Sequence, residues 1–250
     1  MLRSLTAVMA LSIVGGACAA PDVQDELAVD SPDGAGDGKA DGAADGAYTY
    51  FEIKADLRKC LAPVCGGFFL DRLNRTTTVC VNGSSSASCY VPALDWSEAG
   101  LSAGLQSKLV DATNNLAGGT RAIVRGRFAS KTYPGHGNLG RFVVTEAWVA
   151  ESDTVAEGVF AKLVPSGIVC ITAPCPSLKE KGLNGSNSAN IAEVDWSYAN
   201  LTDKQIEGFT TEMFSDHGTI IAGSRYYDGH AKGRTATAAY HRLVDLVTGP

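Results

Sequence analysis

The chain says much the same thing twice, and that repetition limits its fold more than any other feature. Cys60-Leu-Ala-Pro-Val-Cys65 returns as Cys170-Ile-Thr-Ala-Pro-Cys175, and Leu73-Asn74 returns at the same offset as Leu183-Asn184. The run Asp95-Trp96-Ser97-Glu98-Ala99-Gly100-Leu101 returns as Asp195-Trp196-Ser197-Tyr198-Ala199-Asn200-Leu201, with five of seven residues identical. Further on, Ile123-Val124-Arg125-Gly126 lines up with Ile220-Ile221-Ala222-Gly223. Gly135-His136 and Gly140-Arg141 line up with Gly229-His230 and Gly233-Arg234. Self-similarity of this kind marks a copied structural unit. It predicts a first repeat domain over residues 48–152 and a second over 153–250, each of about 100 residues and so large enough to hold a core.

Hydrophobic period then gives the elements of one copy. Phe51, Ile53, Ala55 and Leu57 alternate with Glu52, Lys54 and Asp56, the period of a half-buried strand. Further strands are expected over 66–73 and 89–96. After Ser102, Leu105, Leu109 and Leu116 recur at near-helical spacing. In the second copy Thr202-Asp-Lys-Gln205 is a capping box ahead of Ile206, Phe209 and Met213. Ala122, Val124 and Phe128 alternate with Arg121, Arg125 and Arg127, and residues 142–149 supply a last strand. Three strands, a helix and two strands is the order of the OB-fold. The expected class is therefore mainly β with one helix per repeat (α+β), as two tandem OB-like five-stranded small barrels. Trp96 and Trp196, placed alike before the helix, read as core plugs, with a ligand platform as the alternative.

The N-terminus sets the compartment. Arg3 precedes an apolar run from Leu5 to Val14, too short for the roughly 20 residues that span a bilayer, so residues 1–18 read as a signal peptide. Gly15-Gly16-Ala17-Cys18 is lipobox-like and marks Cys18 for lipidation. Ala17-Cys18-Ala19 read as an ordinary cleavage site is the competing view. Residues 19–47 follow as an acidic Asp/Gly-rich tether in which Asp-Gly recurs at 33, 37, 41 and 45. Such a segment buries too little apolar surface to order itself and reaches on the order of 30 Å. Calcium held by stacked Asp-Gly turns is the alternative. Within 21–47 eight acidic residues face Lys39 alone, a charge of −7 that with Arg3 accounts for the net −6 and leaves the folded part neutral. No nucleic-acid partner is expected of a neutral surface.

Seven cysteines leave one over. With Cys18 carrying lipid, Cys60, Cys65, Cys80, Cys89, Cys170 and Cys175 form an even set suited to an oxidising compartment. The second copy holds only one pair. If the copies are built alike, Cys170 joins Cys175, Cys60 joins Cys65 and Cys80 is left for Cys89, each closure contributing about 2–3 kcal/mol. A tetrathiolate zinc site in the first copy is the competing reading. In a glycosylating host, Asn74-Arg-Thr76 and Asn184-Gly-Ser186 would be acceptor sites.

No catalytic residue, metal site or cofactor is predicted: H-E-x-x-H, G-x-S-x-G, the P-loop and the dinucleotide fingerprint are all missing. One constellation points to a ligand. His136 with Arg141, and His230 with Arg234, fall in the loop between the last two strands, which in an OB-like barrel helps line the ligand face and could grip an anionic group. A solvated hairpin shaped by its glycines is the bland alternative.

The run Cys60-x4-Cys65-Gly-Gly-Phe-Phe, Asn74, Cys80, Asn82-Gly83, Cys89-Tyr90-Val91, Asp95-Trp96-Ser97-x3-Leu101 and Cys170-Ile-Thr-Ala-Pro-Cys175-Pro-Ser resembles a domain-of-unknown-function family of secreted bacterial lipoproteins. The resemblance covers nearly all of 48–247 and implies export, to the outer membrane or cell surface by lipid or free in the periplasm or medium. It implies no activity. A non-catalytic binding module of the cell envelope is the expected function, with the membrane as partner through the N-terminal lipid and an unknown protein or small ligand as the other. The alternatives are a secreted protease inhibitor, from the Kazal-like Pro63-Val64-Cys65-Gly66, and a hydrolase with an unrecognised site.

Overall fold

A computed structural model describes residues 49–114 and 118–245, so the signal segment, Cys18 and the tether lie outside the described residues. The first half contributes strands β1 (Thr49–Ala55), β2 (Phe68–Arg72), β3 (Thr78–Val79), β4 (Ser85–Ser86), β5 (Cys89–Val91) and β6 (Leu94–Asp95). Helix α1 (Ala103–Thr113) follows, then β7 (Ala122–Ala129), β8 (Thr132–Tyr133), β9 (Gly137–Asn138) and β10 (Arg141–Ala150). The second half contributes β11 (Val159–Pro165), β12 (Leu178–Gly182), β13 (Ser188–Ile191), β14 (Glu193–Asp195), α2 (Asp203–Met213), β15 (Thr219–Gly223), β16 (Arg225–Tyr227), β17 (Lys232–Thr235) and β18 (Ala238–Arg242). The fold is mainly β with two short helices. The third expected strand is broken into β5 and β6 because Pro92 has no N–H to offer the ladder. The capping box at Thr202 and Gln205 forms, with Thr202 N–H donating to Gln205 Oε1 at 2.8 Å and Thr202 Oγ1 accepting from Gln205 N at 3.4 Å. Ser102 opens α1 without a side-chain cap.

The expected pair of separate closed barrels is not what the strand pairing shows. One continuous sheet runs β13-β12-β11-β15-β18-β10-β7-β1-β2-β5, with β6 pairing in parallel with β10. The halves join where β10 meets β18 antiparallel, with Trp148 opposite Arg242, Val149 opposite His241 and Ala150 opposite Tyr240. A physical reason lies in β10 and β15, which are buried almost along their whole lengths. A strand that is apolar on both faces needs cover on both. Three cores result. Phe51, Ile53, Leu70, Phe142 and Val144 pack with Leu109 of α1 in the first half. Leu163, Ile191 and Ile221 pack with Phe209 and Met213 of α2 in the second. The third core draws on both halves: Leu73, Ile123 and Trp148 from one, Phe160, Leu183, Ile220 and Tyr240 from the other. Trp96 and Trp196 pack against the first and second cores, the latter stacked on Phe209 at 5.8 Å, as core residues do.

Across the shared core two asparagines make matching bonds. Asn74 Nδ2 donates to Phe160 O and Leu183 O, each at 2.8 Å, and its Oδ1 accepts from Phe160 N at 2.8 Å. Asn184 Nδ2 donates to Tyr50 O at 2.6 Å and Leu73 O at 2.9 Å, and its Oδ1 accepts from Tyr50 N at 2.8 Å. Both sit at φ 57°, a left-handed conformation that asparagine tolerates better than most residues. With both amides engaged across the seam, neither is open to a glycan in the folded state, which removes the acceptor-site reading. Asn74→Gly keeps the backbone conformation and deletes the three bonds. At about 1 kcal/mol net per bond, urea unfolding should show a loss of about 2–3 kcal/mol. A change below about 0.5 kcal/mol, the usual effect of surface substitutions, would mean that the seam is held otherwise.

Candidate functional site

Two loops and two hairpins carry the side chains that remain exposed above this frame. The first loop leaves β1 and returns in β2. Its ends are held by Asp56 N–H donating to Gly67 O at 2.8 Å, and its middle is closed by the Cys60–Cys65 disulfide, with Cα atoms 5.5 Å apart. Asp56 is buried and accepts from Arg58 N at 3.0 Å, Nε at 2.9 Å and Nη2 at 2.8 Å; Arg58 also donates to Val64 O at 3.0 Å. The hydrogen bond from the Arg58 side chain holds the Asp56 carboxyl below the usual range, against its burial. The guanidinium lies over Phe69 and Tyr90, 5.1 and 5.3 Å from the ring centroids. Tyr90 Oη donates to Pro63 O at 2.7 Å, and burial raises its pKa. The base of the first loop is thus tied to its own half-sheet, while Leu61 stays in solvent.

The second loop, between β11 and β12, has the same frame and a different filling. Ser166 N–H donates to Ser177 O at 2.8 Å, and Ser166 Oγ, in the place of the Asp56 carboxylate, accepts from Ile168 N at 3.0 Å. Cys170 and Cys175 are bonded, with Cα atoms 5.6 Å apart. No arginine folds back here. Val169 is 95% exposed and Ile171 is 103% exposed, while in the first loop Leu61 is 85% exposed. The remaining pair, Cys80–Cys89, ties β5 to the segment after β3, Cα atoms 5.4 Å apart. All six described cysteines are in disulfides, so the tetrathiolate zinc reading is overturned.

The predicted ligand-loop residues are not brought together as proposed. His136 is exposed at the tip between β8 and β9, its N–H donating to Tyr133 O at 3.0 Å. Arg141 pairs with Asp95, Nε to Oδ2 3.2 Å. His230 is exposed at the tip between β16 and β17, where Asp228 Oδ1 accepts from His230 N and Ala231 N at 2.8 Å each. Arg234 is elsewhere. It is fully buried, donating to Glu180 Oε2 at 2.9 Å, to Gly223 O at 2.7 Å and to Val159 O, and Arg225 bonds the other Glu180 oxygen.

Strand register explains the discrepancy. Leu94 pairs with Phe142, and Val194 pairs with Arg234, so Arg234 answers to Phe142 and Arg141 answers to Gly233. The sequence alignment of the two Gly-Arg steps is off by one residue, and in a strand one residue reverses the face. Phe128 opposite Phe142 likewise answers to Arg225 opposite Arg234, and Leu70 opposite Ile53 answers to Glu180 opposite Leu163. Where the first half has edge-to-face rings of Phe51, Phe128 and Phe142, the second has two arginines around one glutamate. Sequence reasoning missed Arg225 and Glu180. The alternating signal of a strand with Glu180 on its buried face was the available clue.

Between the second loop and the β16–β17 hairpin lies a cleft of about 270 Å³, lined by Pro174, Pro176, Asn190, Tyr227, His230 and Lys232 among others, none of them acidic. Among the described residues no cluster of His, Cys, Asp and Glu is placed to hold a metal, and no helix is long and apolar enough to cross a membrane. Three disulfides fit an oxidising environment.

A long antiparallel sheet bearing two stapled loops defines a small disulfide-bonded β domain. Residues 49–242 match the family described as a domain of unknown function, DUF6748, and the chain belongs to that family. No curated protein and no solved structure matches it.

Two outcomes follow. Arg234→Met leaves Glu180 buried with half its compensation and should cost about 3–5 kcal/mol in denaturant unfolding, whereas replacing Glu180, Arg225 and Arg234 together by Leu, Phe and Phe should recover most of the loss. The lowered Asp56 pKa stabilises the fold above its unfolded value of about 3.9, and that stabilisation is lost as pH falls through the lower folded value. The melting temperature of Asp56→Asn should lie below wild type at neutral pH, and the gap should close in acid. A gap independent of pH would exclude this pair as the cause.

Proposed function

We propose that the protein is an exported, non-catalytic interaction module of the cell envelope, held by lipid at Cys18 and spaced by the acidic tether. Its contact elements are the two stapled loops. One observation carries the reading: Leu61, Val169 and Ile171 stand in or beside disulfide-closed loops with their side chains in solvent. Exposed aliphatic groups on a pre-ordered loop lose little entropy on binding, and that saving is what makes a short rigid loop an effective contact. Two such loops on one chain add avidity. The equivalent registers of the half-sheets and the matching Asn74 and Asn184 bonds support descent from a duplicated unit over 48–152 and 153–250. The parallel pairings of β6 with β10 and of β14 with β17 support an OB-like ancestry for each copy.

A second reading, protease inhibition, is favoured by Ile171, which stands fully exposed in the loop closed by Cys170 and Cys175. A photo-reactive residue placed at Leu61 or at Ile171 in the full chain, expressed in the producing cell, tests both. Adducts with envelope macromolecules are expected at the loops and not at Lys108, exposed on α1. A secreted protease as the adduct selects the second reading, and loops no more reactive than Lys108 overturn both.

A further inference from the structure

The three disulfides differ in what their sulfurs face. Cys65 is 3% exposed and Cys89 is 1% exposed, so the first-loop staple and the tie to β5 each keep one cysteine buried. In the second loop Cys170 is exposed and Cys175 is half-buried, so neither sulfur belongs to an enclosed residue. The two loops also differ in what holds them besides the staple. Arg58 donates to Val64 O at 3.0 Å and Tyr90 Oη donates to Pro63 O at 2.7 Å, and both carbonyls lie inside the ring closed by Cys60 and Cys65. In the second loop Ser166 ties the base, through Ser177 O, Pro176 O and Ile168 N, and among the described residues no hydrogen bond reaches residues 169–174. Asn190, opposite Lys179, stands where Tyr90 stands opposite Phe69, and is too short to reach the ring.

We propose that the Cys170–Cys175 disulfide is a site of reversible exchange with thiols, and that its opening releases the second stapled loop. A thiolate attacks Cys170 Sγ, the S–S bond breaks, and its electron pair leaves on Cys175 Sγ, which takes up a proton. A second thiolate attacks the added sulfur of the mixed disulfide and expels the Cys170 thiolate, which is protonated in turn. Two thiols are oxidised to one disulfide, and Cys170 and Cys175 are reduced by the two electrons and take up the two protons that the thiols give up. The same attack on Cys60 expels Cys65 into a buried place, and attack on Cys80 expels Cys89 likewise. A thiolate with little solvent around it is a poor leaving group. The bonds from Arg58 and Tyr90 also keep Cys60 and Cys65 close after a break, so that reclosure runs at a high effective concentration. Neither restraint operates in the second loop. This chemistry does not depend on the loops being contact elements; where they are, reduction removes the order of the loop that carries Val169 and Ile171.

Timed reduction of the native full chain, with alkylation and peptide mapping of each cysteine, tests this. Reduced glutathione and a thioredoxin-like protein dithiol serve as separate reductants. Cys170 and Cys175 should be alkylated at least about tenfold faster than the other four described cysteines. Reaction with glutathione assigns small thiols as the co-reactant, reaction with the protein dithiol alone assigns a protein, and either supports the exchange. After selective reduction, amide exchange should rise over residues 167–175 while β11 and β12 keep their protection. Ser166→Asp, Ile168→Arg and Asn190→Tyr together install the first loop's ties and should slow the opening by about tenfold. Tyr90→Phe, which removes one hydroxyl, should speed the opening of Cys60–Cys65 about threefold. Equal rates at all three disulfides, Cys60–Cys65 opening first, no reaction with either reductant, loss of protection in β11 and β12, or a folded triple variant that opens at the wild-type rate would each overturn the proposal.

Discussion

The structure depends on the antiparallel seam between β10 and β18. Val149 faces His241 at its centre, and the flanking pairs, Trp148 with Arg242 and Ala150 with Tyr240, are equivalent by register. The seam therefore has the self-complementary form of a two-fold interface, made within one chain. It consumes the long strand edge of each half, which is the surface most prone to pair with other molecules. The edges that remain, β5 and β13, are three and four residues long. Tyr240 closes the shared core from the inside by donating to Thr120 O at 2.9 Å, and burial raises its pKa far above the ordinary phenol value. A half-sheet without its partner would expose Ile123 and Trp148, or Ile220 and Tyr240, together with the donors and acceptors that Asn74 and Asn184 satisfy.

The same seam frees the two outer cores to differ. With the halves fixed against each other by matching bonds, each interior needs only to fill its own volume. The first does so with Phe51, Phe128 and Phe142 at centroid distances of 5.1–5.5 Å. The second has Ala161 and Ile221 in register where the first has Phe51 and Val124, and Arg225, Arg234 and Glu180 complete it. A buried cluster of this sort gains little over apolar packing, because desolvation offsets its attraction. Its carbonyl contacts to Val159 and Gly223 nonetheless tie β17 to β11 and β15 across the sheet.

Much of this order was legible in the residues. Alternation from Phe51, the landmarks around Trp96 and Trp196, and the capping box at Thr202 gave the strands and helices, and the lone pair in the second half decided the cysteine pairing. Two things were hidden. Landmark matching cannot see register: the hairpin joining Phe128 to Phe142 is longer than the one joining Arg225 to Arg234, so the Gly-Arg steps at 140–141 and 233–234 looked equivalent while lying one residue apart in register. The union of the halves was hidden because a strand's partner is a long-range fact. Its local trace was the unbroken apolar character of residues 142–144 and 220–222, which asks for cover on both faces.

The stapled loops show what duplication makes available. In the first, Asp56 is buried and the exposed Arg58 folds back over the Tyr90 ring, so that carboxylate, guanidinium and ring tie the loop to the sheet. In the second, the same three positions are Ser166, Ile168 and Asn190, none of which can make that closure. Ser166 still holds the loop's ends, donating through Oγ to Pro176 O at 2.8 Å and accepting from Ile168 N. The surface is left open and aliphatic side chains are left in solvent. One copy keeps its polar groups for stability and the other releases the equivalent space. Leu61 in the first loop and Val169 and Ile171 at the second leave exposed aliphatic side chains in both copies, while the unfilled cleft lies beside the loop that has lost its internal closure.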